Sequence, residues 1–418
     1  MTFKFMHSAD IHLDSPLKGL ERYDGAPSAE IRSATRQAFV RLVDCCIDEK
    51  VTFLLIVGDL FDGDWKDFNT GLFFNQQMLR LKEREIRVFI VRGNHDAVNS
   101  MTKSLQLPSN VREFSASKPE TIILAEHGVA LHGQSYANAD VQHDLSSKYP
   151  PPANGMFNIG LLHTSADGSA KEHAVYAPCA IQGLVDRGYD YWALGHVHRR
   201  QVLRSDPFVV FPGNLQGRHI RETGPKGATL VTVADRQATL DARSLDVMRW
   251  YLREVALDHA QNAQHAVDLV FASLEALRRT EAATPLAVRV RLFGATPAHR
   301  ELIASSEHYA TEIRARAAEL EALWVEKVIV DTRAPIDIEE LRRQSTPLGE
   351  LLRTIAAQRE DPAALDALVA ELSPMQQKFA AVPADDRPPF DTASAVRDAL
   401  AEVEQLLVPM LLDSGETP

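Results

Sequence analysis

Five short segments of this chain carry side chains able to hold metal ions: Asp10-Ile11-His12, Gly58-Asp59-Leu60-Phe61-Asp62, Gly93-Asn94-His95-Asp96, His163, and Gly195-His196-Val197-His198. The donors are Asp, Asn and His with no cysteine, an oxygen and imidazole set that suits Mn2+, Fe2+ or Zn2+ better than a thiolate-seeking ion. In extended backbone, residues i and i+2 point the same way, so Asp10 and His12 can reach one ion. His196 and His198 repeat that spacing, and Gly195 lets the backbone approach closely. Asp59 follows an apolar run and a glycine, well placed for one carboxylate to bridge two cations. Two cations ~4 Å apart can hold an attacking hydroxide and neutralise phosphoryl oxygens during in-line displacement, so the chemistry expected is hydrolysis of phosphate esters.

Each segment alone has an ordinary explanation. An Asp-x-His pair or a single histidine at a strand end is more often structural than a ligand. Gly-Asp-x-x-Asp fits a strand-to-helix turn with an Asp cap, and Gly-Asn-His-Asp fits a turn. Gly-His-x-His is more specific. All five, in this order and each behind a hydrophobic run, point together to a metal centre.

The elements that must position them follow from periodicity. FKFMH (3–7), TFLLIVG (52–58) and RVFIVRG (87–93) are short apolar runs, and between them Ala29–Glu49 and Gly71–Glu83 have the spacing of amphipathic helices. This β-α-β-α-β order predicts an α/β fold with parallel strands and crossover helices. Further strands are expected at 121–125, 128–133, 157–163, 190–195, 208–213 and 228–233. Ligands at the carboxyl ends of such strands converge on one rim of the sheet. The pattern divides the chain into a first domain at 1–240, a compact α+β unit at 245–332 and a helical C-terminal region at 340–418. In the second unit, strands are expected at 250–257, 285–294 and 323–332, with helices at 263–279 and 297–322. In the third, helices at 348–358, 361–372 and 391–412 are broken by a polar loop at 383–390.

The ordered set D-x-H, G-D-x-x-D, G-N-H-D, H, G-H-x-H resembles the calcineurin-like metallophosphoesterase superfamily. His7–Leu17, Leu161–Thr164 and Phe211–His219 resemble its SbcD-like DNA-repair exonucleases, in the YhaO-type branch. The resemblance implies a four-layer sandwich with a small α+β capping domain and a helical tail. It implies that Asp10, His12, Asp59 and His198 hold one metal, and that Asp59, Asn94, His163 and His196 hold the other. The pair is expected to be Mn2+, with Fe2+, Zn2+ or Mg2+ as alternatives. His95 would lie over the scissile phosphate and assist the leaving oxygen, while Asp96 and Asp62 would orient imidazoles. A homodimer and an SbcC-like ABC-type ATPase partner, docked on the tail, are further implications.

Composition bears on the substrate. The net charge of -12 argues against a casual nucleic-acid assignment, because DNA binders usually carry a basic footprint. Residues 345–418, however, hold 13 acidic and 5 basic side chains, so most of the excess acidity belongs to the tail. After the last metal motif comes a basic stretch, Arg199, Arg200, Arg204, Arg218, His219, Arg221 and Lys226. Of these Arg199, Arg218 and His219 are the candidates for binding the phosphates of DNA. The leading expectation is a DNA nuclease; a small-molecule phosphodiesterase, a phosphatase, or a scaffold subunit of an ATPase complex are the alternatives. Three cysteines and the lack of any apolar run near the ~20 residues that span a bilayer suggest a reducing, cytoplasmic setting and no membrane.

Overall fold

The computed structural model describes residues 2–15, 28–62, 68–98, 106–166, 176–378 and 392–413. Chain order runs β1 (Thr2–Ser8), α1 (Ser28–Asp48), β2 (Phe53–Val57), α2 (Phe68–Lys82), β3 (Arg87–Val91), α3 (Asn94–Val98) and β4 (Val111–Glu113). It continues through β5 (Glu120–Leu124), β6 (Val129–Gly133), β7 (Phe157–His163), α4 (Ile181–Asp186), β8 (Tyr191–Gly195), β9 (Gln201–Ser205), β10 (Phe208–Phe211), β11 (Gly227–Ala234) and β12 (Gln237–Ser244). Two six-stranded sheets result, ordered β12-β11-β1-β2-β3-β4 and β5-β6-β7-β8-β10-β9. Strands β1 to β4 are parallel, as are β6, β7, β8 and β10. Antiparallel neighbours β11, β5 and β9 attach at the sides.

Side-chain alternation explains the layering. In β2, whose five residues are all buried, Phe53, Leu55 and Val57 point to one face while Leu54 and Ile56 point to the other. The first face joins Phe3, Phe5 and Phe89 to Leu131, Phe157, Ile159 and Tyr191 of the second sheet, which makes the two sheets pack face to face. The second face meets Phe39 and Leu42 of α1 and Phe74, Met78 and Leu81 of α2. On the far side of the second sheet, Trp192, Leu194 and Phe211 are covered by Leu184 of α4 with Tyr149 and Tyr189. The layers are therefore helix, sheet, sheet, helix, as expected.

The next elements are β13 (Arg249–Ala256), α5 (Ala263–Thr280), β14 (Leu286–Ala295), α6 (His299–Ala304), α7 (Ser306–Ala317) and β15 (Leu323–Arg333), with a three-stranded sheet ordered β13-β14-β15. The single helix expected at 297–322 is two, separated at Ser305. Among the described residues that follow are four helices: α8 (Ile338–Arg343), α9 (Pro347–Glu360), α10 (Pro362–Lys378) and α11 (Ala393–Asp413). The chain forms two compact units, one of Met1–Leu257, Ala263–Phe293 and Glu301–Asp331, the other of Asp258–Asn262, Gly294–Arg300 and Thr332–Pro418. In the second unit Leu352, Ile355, Leu365, Val396 and Val408 are buried, so part of each apolar helix face covers the unit's own interior. Leu351, Val403 and Leu411 remain exposed. The polar loop expected at 383–390 lies outside the described residues. No described helix is long and apolar enough to cross a membrane.

The inter-sheet layer supplies the first prediction. Phe53 stacks on Phe5 with ring centroids 5.1 Å apart and meets Phe89 edge-on at 6.0 Å. Phe53→Ala should lower stability by about 3–5 kcal/mol, read from the midpoint of urea unfolding. A loss under about 1 kcal/mol would show that this stack does not hold the sheets together.

Candidate metal centre

The carboxyl ends of β1, β2, β3, β7 and β8 lie on one rim of the two sheets, and each opens into one of the polar segments. Beyond the strands, backbone pairing continues. Asp10 N–H donates to the Gly58 carbonyl at 3.0 Å, His12 N–H to Asp59 at 2.9 Å, and Thr164 N–H to Gly195 at 3.0 Å. Directly after the strands the chain turns through backbone that L-residues seldom adopt: φ is 51° at Asp10, 46° at His12, 51° at Asp59 and 106° at His196. Strain of this kind concentrates where side chains must be aimed against the backbone's preference. Gly58, at φ 85°, is required for a second reason: a Cβ there would stand 2.0 Å from His163 Nδ1.

The side chains gather into two groups. Asp10, His12 and His198 offer donor atoms within 4.8 Å of one another, and so do Asp59, His163 and His196. Asn94 joins the second, its Oδ1 3.1 Å from His163 Nε2. Asp59 lies between the groups, with Oδ2 3.5 Å from His163 Nε2 and 3.9 Å from His12 Nε2. Its other oxygen accepts the His95 N–H at 3.0 Å, and the Asp10 carboxylate accepts the His196 N–H at 3.0 Å. All seven residues expected as ligands are thus brought together, and all but His198 are buried. Burial, with the charge of Asp59 adding to it, lifts the Asp10 carboxyl to about 7. Two carboxylates in so dry a place need positive charge beside them, and the converging imidazole nitrogens are suitable neutral ligands. The donor set fits a pair of divalent cations held by Asp10, His12, Asp59, Asn94, His163, His196 and His198.

Outer carboxylates orient the imidazoles. Asp62 Oδ1 lies 2.5 Å from His12 Nδ1 and 3.5 Å from His95 Nδ1. Glu222, absent from the sequence expectations, is buried with Oε1 2.7 Å from His198 Nδ1. Although burial opposes it, the hydrogen bond from His198 and the charge of Arg218 hold the Glu222 carboxyl below the usual range. Its only sequence signal was a carboxylate among the basic residues that follow His198. Asp96 takes a different place from the one expected. Its carboxylate accepts the backbone N–H groups of Phe61 at 2.9 Å, Gly93 at 3.1 Å and Leu60 at 3.2 Å, so it ties two loops together, while the carboxylate beside His95 Nδ1 is that of Asp62.

The remaining expected residues separate by exposure. The His95 side chain is 44% exposed and its ring meets that of His12 edge-on at 4.9 Å, so it stands at the open side of the ligand cluster. Arg199 is exposed and His219 half-exposed. Arg218 is only 15% exposed, and its guanidinium is turned inward to Glu222 and Asp62. Lys226, expected in the basic stretch, is buried and donates to the His198 carbonyl at 2.9 Å.

Comparison with known proteins finds similarity to metallophosphoesterases. The profile of calcineurin-like phosphoesterases matches residues 3–200, and that of the middle domain of metallophosphoesterase YhaO matches residues 250–333. The Bacillus subtilis protein described as uncharacterized metallophosphoesterase YhaO is 34% identical over 297 residues, 70% of this chain and 72% of that one. The DNA double-strand break repair protein Mre11 of Methanopyrus kandleri is 23% identical over 370 residues, 82% of this chain and 76% of that one. A solved dimetal phosphatase from Danio rerio covers 58% of this chain and 96% of its own at 12% identity, with a TM-score of 0.38.

Gly58 offers a direct test of the packing around the second ligand group. In Gly58→Ala the added methyl collides with the His163 ring, so the purified protein should retain less than half of the divalent metal that wild type carries, by elemental analysis. Full metal content in that variant would show that the His163 position is not set by this close approach.

Proposed function

Because this chain belongs to the calcineurin-like metallophosphoesterase family, and carries the YhaO-type middle domain, we propose that it hydrolyses DNA phosphodiester bonds at a Mn2+-loaded two-metal centre. The observation that carries this reading is the half-exposed His95 standing over buried ligands, with exposed Arg199, Arg200 and Arg221 on the two segments that flank His198. The similarity to Mre11 of Methanopyrus kandleri, which extends well past the phosphoesterase segment, supports DNA over a small phosphate ester. The bound cations would neutralise phosphoryl charge and lower the pKa of an attacking water.

The chain's own residues do the rest. Asp62, 3.5 Å from His95 Nδ1, turns the other ring nitrogen, Nε2, away from it, so that Nε2 can deliver a proton to the departing deoxyribose oxygen. Arg199, Arg200 and His219 would bind flanking phosphates without sequence preference. Under this reading the protein acts in DNA repair as a homodimer, and its helical region from 340 onward docks an SbcC-like ABC-type ATPase. A small-molecule phosphodiesterase or phosphatase remains the competing reading, since the donors alone serve any phosphate ester.

Three outcomes are expected. Mn2+-loaded protein should degrade linear double- or single-stranded DNA, and EDTA should stop it. Turnover of bis-p-nitrophenyl phosphate with every DNA substrate left intact, ATPase present or not, would favour the competing reading. His95→Ala should lose at least about 100-fold in rate while both metals stay bound, consistent with general-acid contributions; unchanged turnover would remove His95 from the reaction. Deleting 340–418 should abolish ATPase binding and leave metal-dependent hydrolysis in place, whereas full ATPase binding by the truncated chain would place the docking surface elsewhere.

A further inference from the structure

The two ligand groups are braced in different ways. In the group of Asp10, His12 and His198, both imidazoles present Nδ1 to a side-chain carboxylate, at 2.5 Å in His12–Asp62 and 2.7 Å in His198–Glu222. An Nδ1–H that donates outward leaves Nε2 as the ligand atom and sets the plane of the ring. In the other group, His163 Nδ1 lies 3.1 Å from the backbone carbonyl of Val57, an acceptor that no side-chain change removes.

One guanidinium spans the two carboxylates of the first group. Arg218 Nη2 is 3.1 Å from Glu222 Oε1, and Nη1 is 3.8 Å from Asp62 Oδ1. Nη1 also donates to Ser15 Oγ at 3.3 Å. The same residue's backbone N–H donates to Glu222 Oε2 at 2.7 Å, and Asn214 Nδ2 donates to that oxygen at 2.9 Å. Asp62 and Glu222 come from segments far apart in the chain and carry like charge in a largely dehydrated place. Without a cation between them they repel, and each imidazole turns with the carboxylate that holds it. A planar guanidinium is suited to this position, because its donors fan out over two acceptors where an ammonium offers a point charge.

We propose that Arg218 is a positioning residue for the Asp10–His12–His198 metal site alone, acting through Asp62 and Glu222, and not a ligand for substrate phosphate. This departs from the substrate contact expected from sequence. It rests on the two-metal reading of the centre, and it assigns the two sites unequal dependence on one side chain. The start of β13 and the two residues before it fix where Arg218 stands: Gln216 Nε2 donates to the Met248 carbonyl at 2.6 Å, Val247 N–H to Gln216 Oε1 at 2.8 Å, and Trp250 Nε1 to the Gly217 carbonyl at 3.1 Å.

The test is a Mn2+ titration of the full chain, followed by electron paramagnetic resonance or calorimetry, with anomalous scattering from Mn2+-soaked crystals to locate the ions. Wild type should bind two Mn2+. Arg218→Gln should keep one at an affinity within about twofold of wild type and bind the other about 10–100-fold more weakly, with the weakened ion at Asp10, His12 and His198. Should Arg218→Gln fail to fold, Glu222→Gln carries the same expectation through the same imidazole. Equal weakening of both ions overturns the proposal. So does unchanged Mn2+ binding with a raised KM for bis-p-nitrophenyl phosphate, the result a substrate contact would give. A wild type that binds a single Mn2+ overturns the two-metal reading itself, a result distinct from either of these.

Discussion

Left-handed backbone at Asp10, His12, Asp59 and His196 costs about 1–3 kcal/mol at each residue, and the surrounding structure is arranged so that no cheaper conformation is open to it. Two of these residues follow β1, one follows β2 and one follows β8, so the cost falls at the ends of buried strands that cannot shift. The aromatic layer between the sheets, Phe3, Phe5, Phe53, Phe89 and Phe157 with Tyr191 of β8, packs those strands in place. Backbone bonds from Asp10 to Gly58 and from His12 to Asp59 then extend the β1–β2 pairing into the loops. Relaxing one ligand would break this pairing, and its neighbours would lose their aim as well.

Around the ligands, carboxylates divide the labour by what they accept. Asp62 and Glu222 take imidazole protons, while Asp96 takes three backbone N–H groups and closes the loop after β3 onto the loop after β2. Asp14 does a similar job further out: it accepts from Arg36 of α1 at 2.7 Å and from Thr70 of α2 at 2.6 Å, and so links both crossover helices to the segment that carries Asp10 and His12. Asp96 and Glu222 are buried and Asp62 and Asp14 partly so, and each has cationic or N–H partners to offset its desolvation. An acidic composition in such a chain therefore says little about the potential that a phosphate would meet at the mouth of the centre.

Much of this was legible in the sequence, for identifiable reasons. Strands buried on both faces read as unbroken apolar runs, so β2, β3, β7 and β8 stand out. The ligand-bearing segments were visible because glycine and short polar residues interrupt those runs abruptly. By contrast β12, QATLDARS, is largely exposed and its alternation rests on Ala238, Leu240 and Ala242 alone, a weak apolar signal, and β4 has only three residues. Glu222 could not be picked out because its role depends on a tertiary approach to His198 across 24 residues. The family resemblance implies that Asp96 orients an imidazole, whereas its carboxylate accepts the backbone N–H groups of Leu60, Phe61 and Gly93. Arg218 looked like one of several basic side chains on a loop; only its burial sets it apart from Arg199.

Trp250 is the second residue of β13 in the small sheet, and its indole N–H holds the Gly217 carbonyl, one residue before Arg218. The small sheet thus braces the segment that carries Arg218 and Glu222 beside the candidate metal centre. Exchanging that sheet between relatives would transplant the floor under Arg218 and Glu222 along with any surface that contacts substrate. Divergence at 247–250 and at 216–222 should be constrained to proceed together, as two halves of one joint, even though the two stretches are not adjacent in the chain.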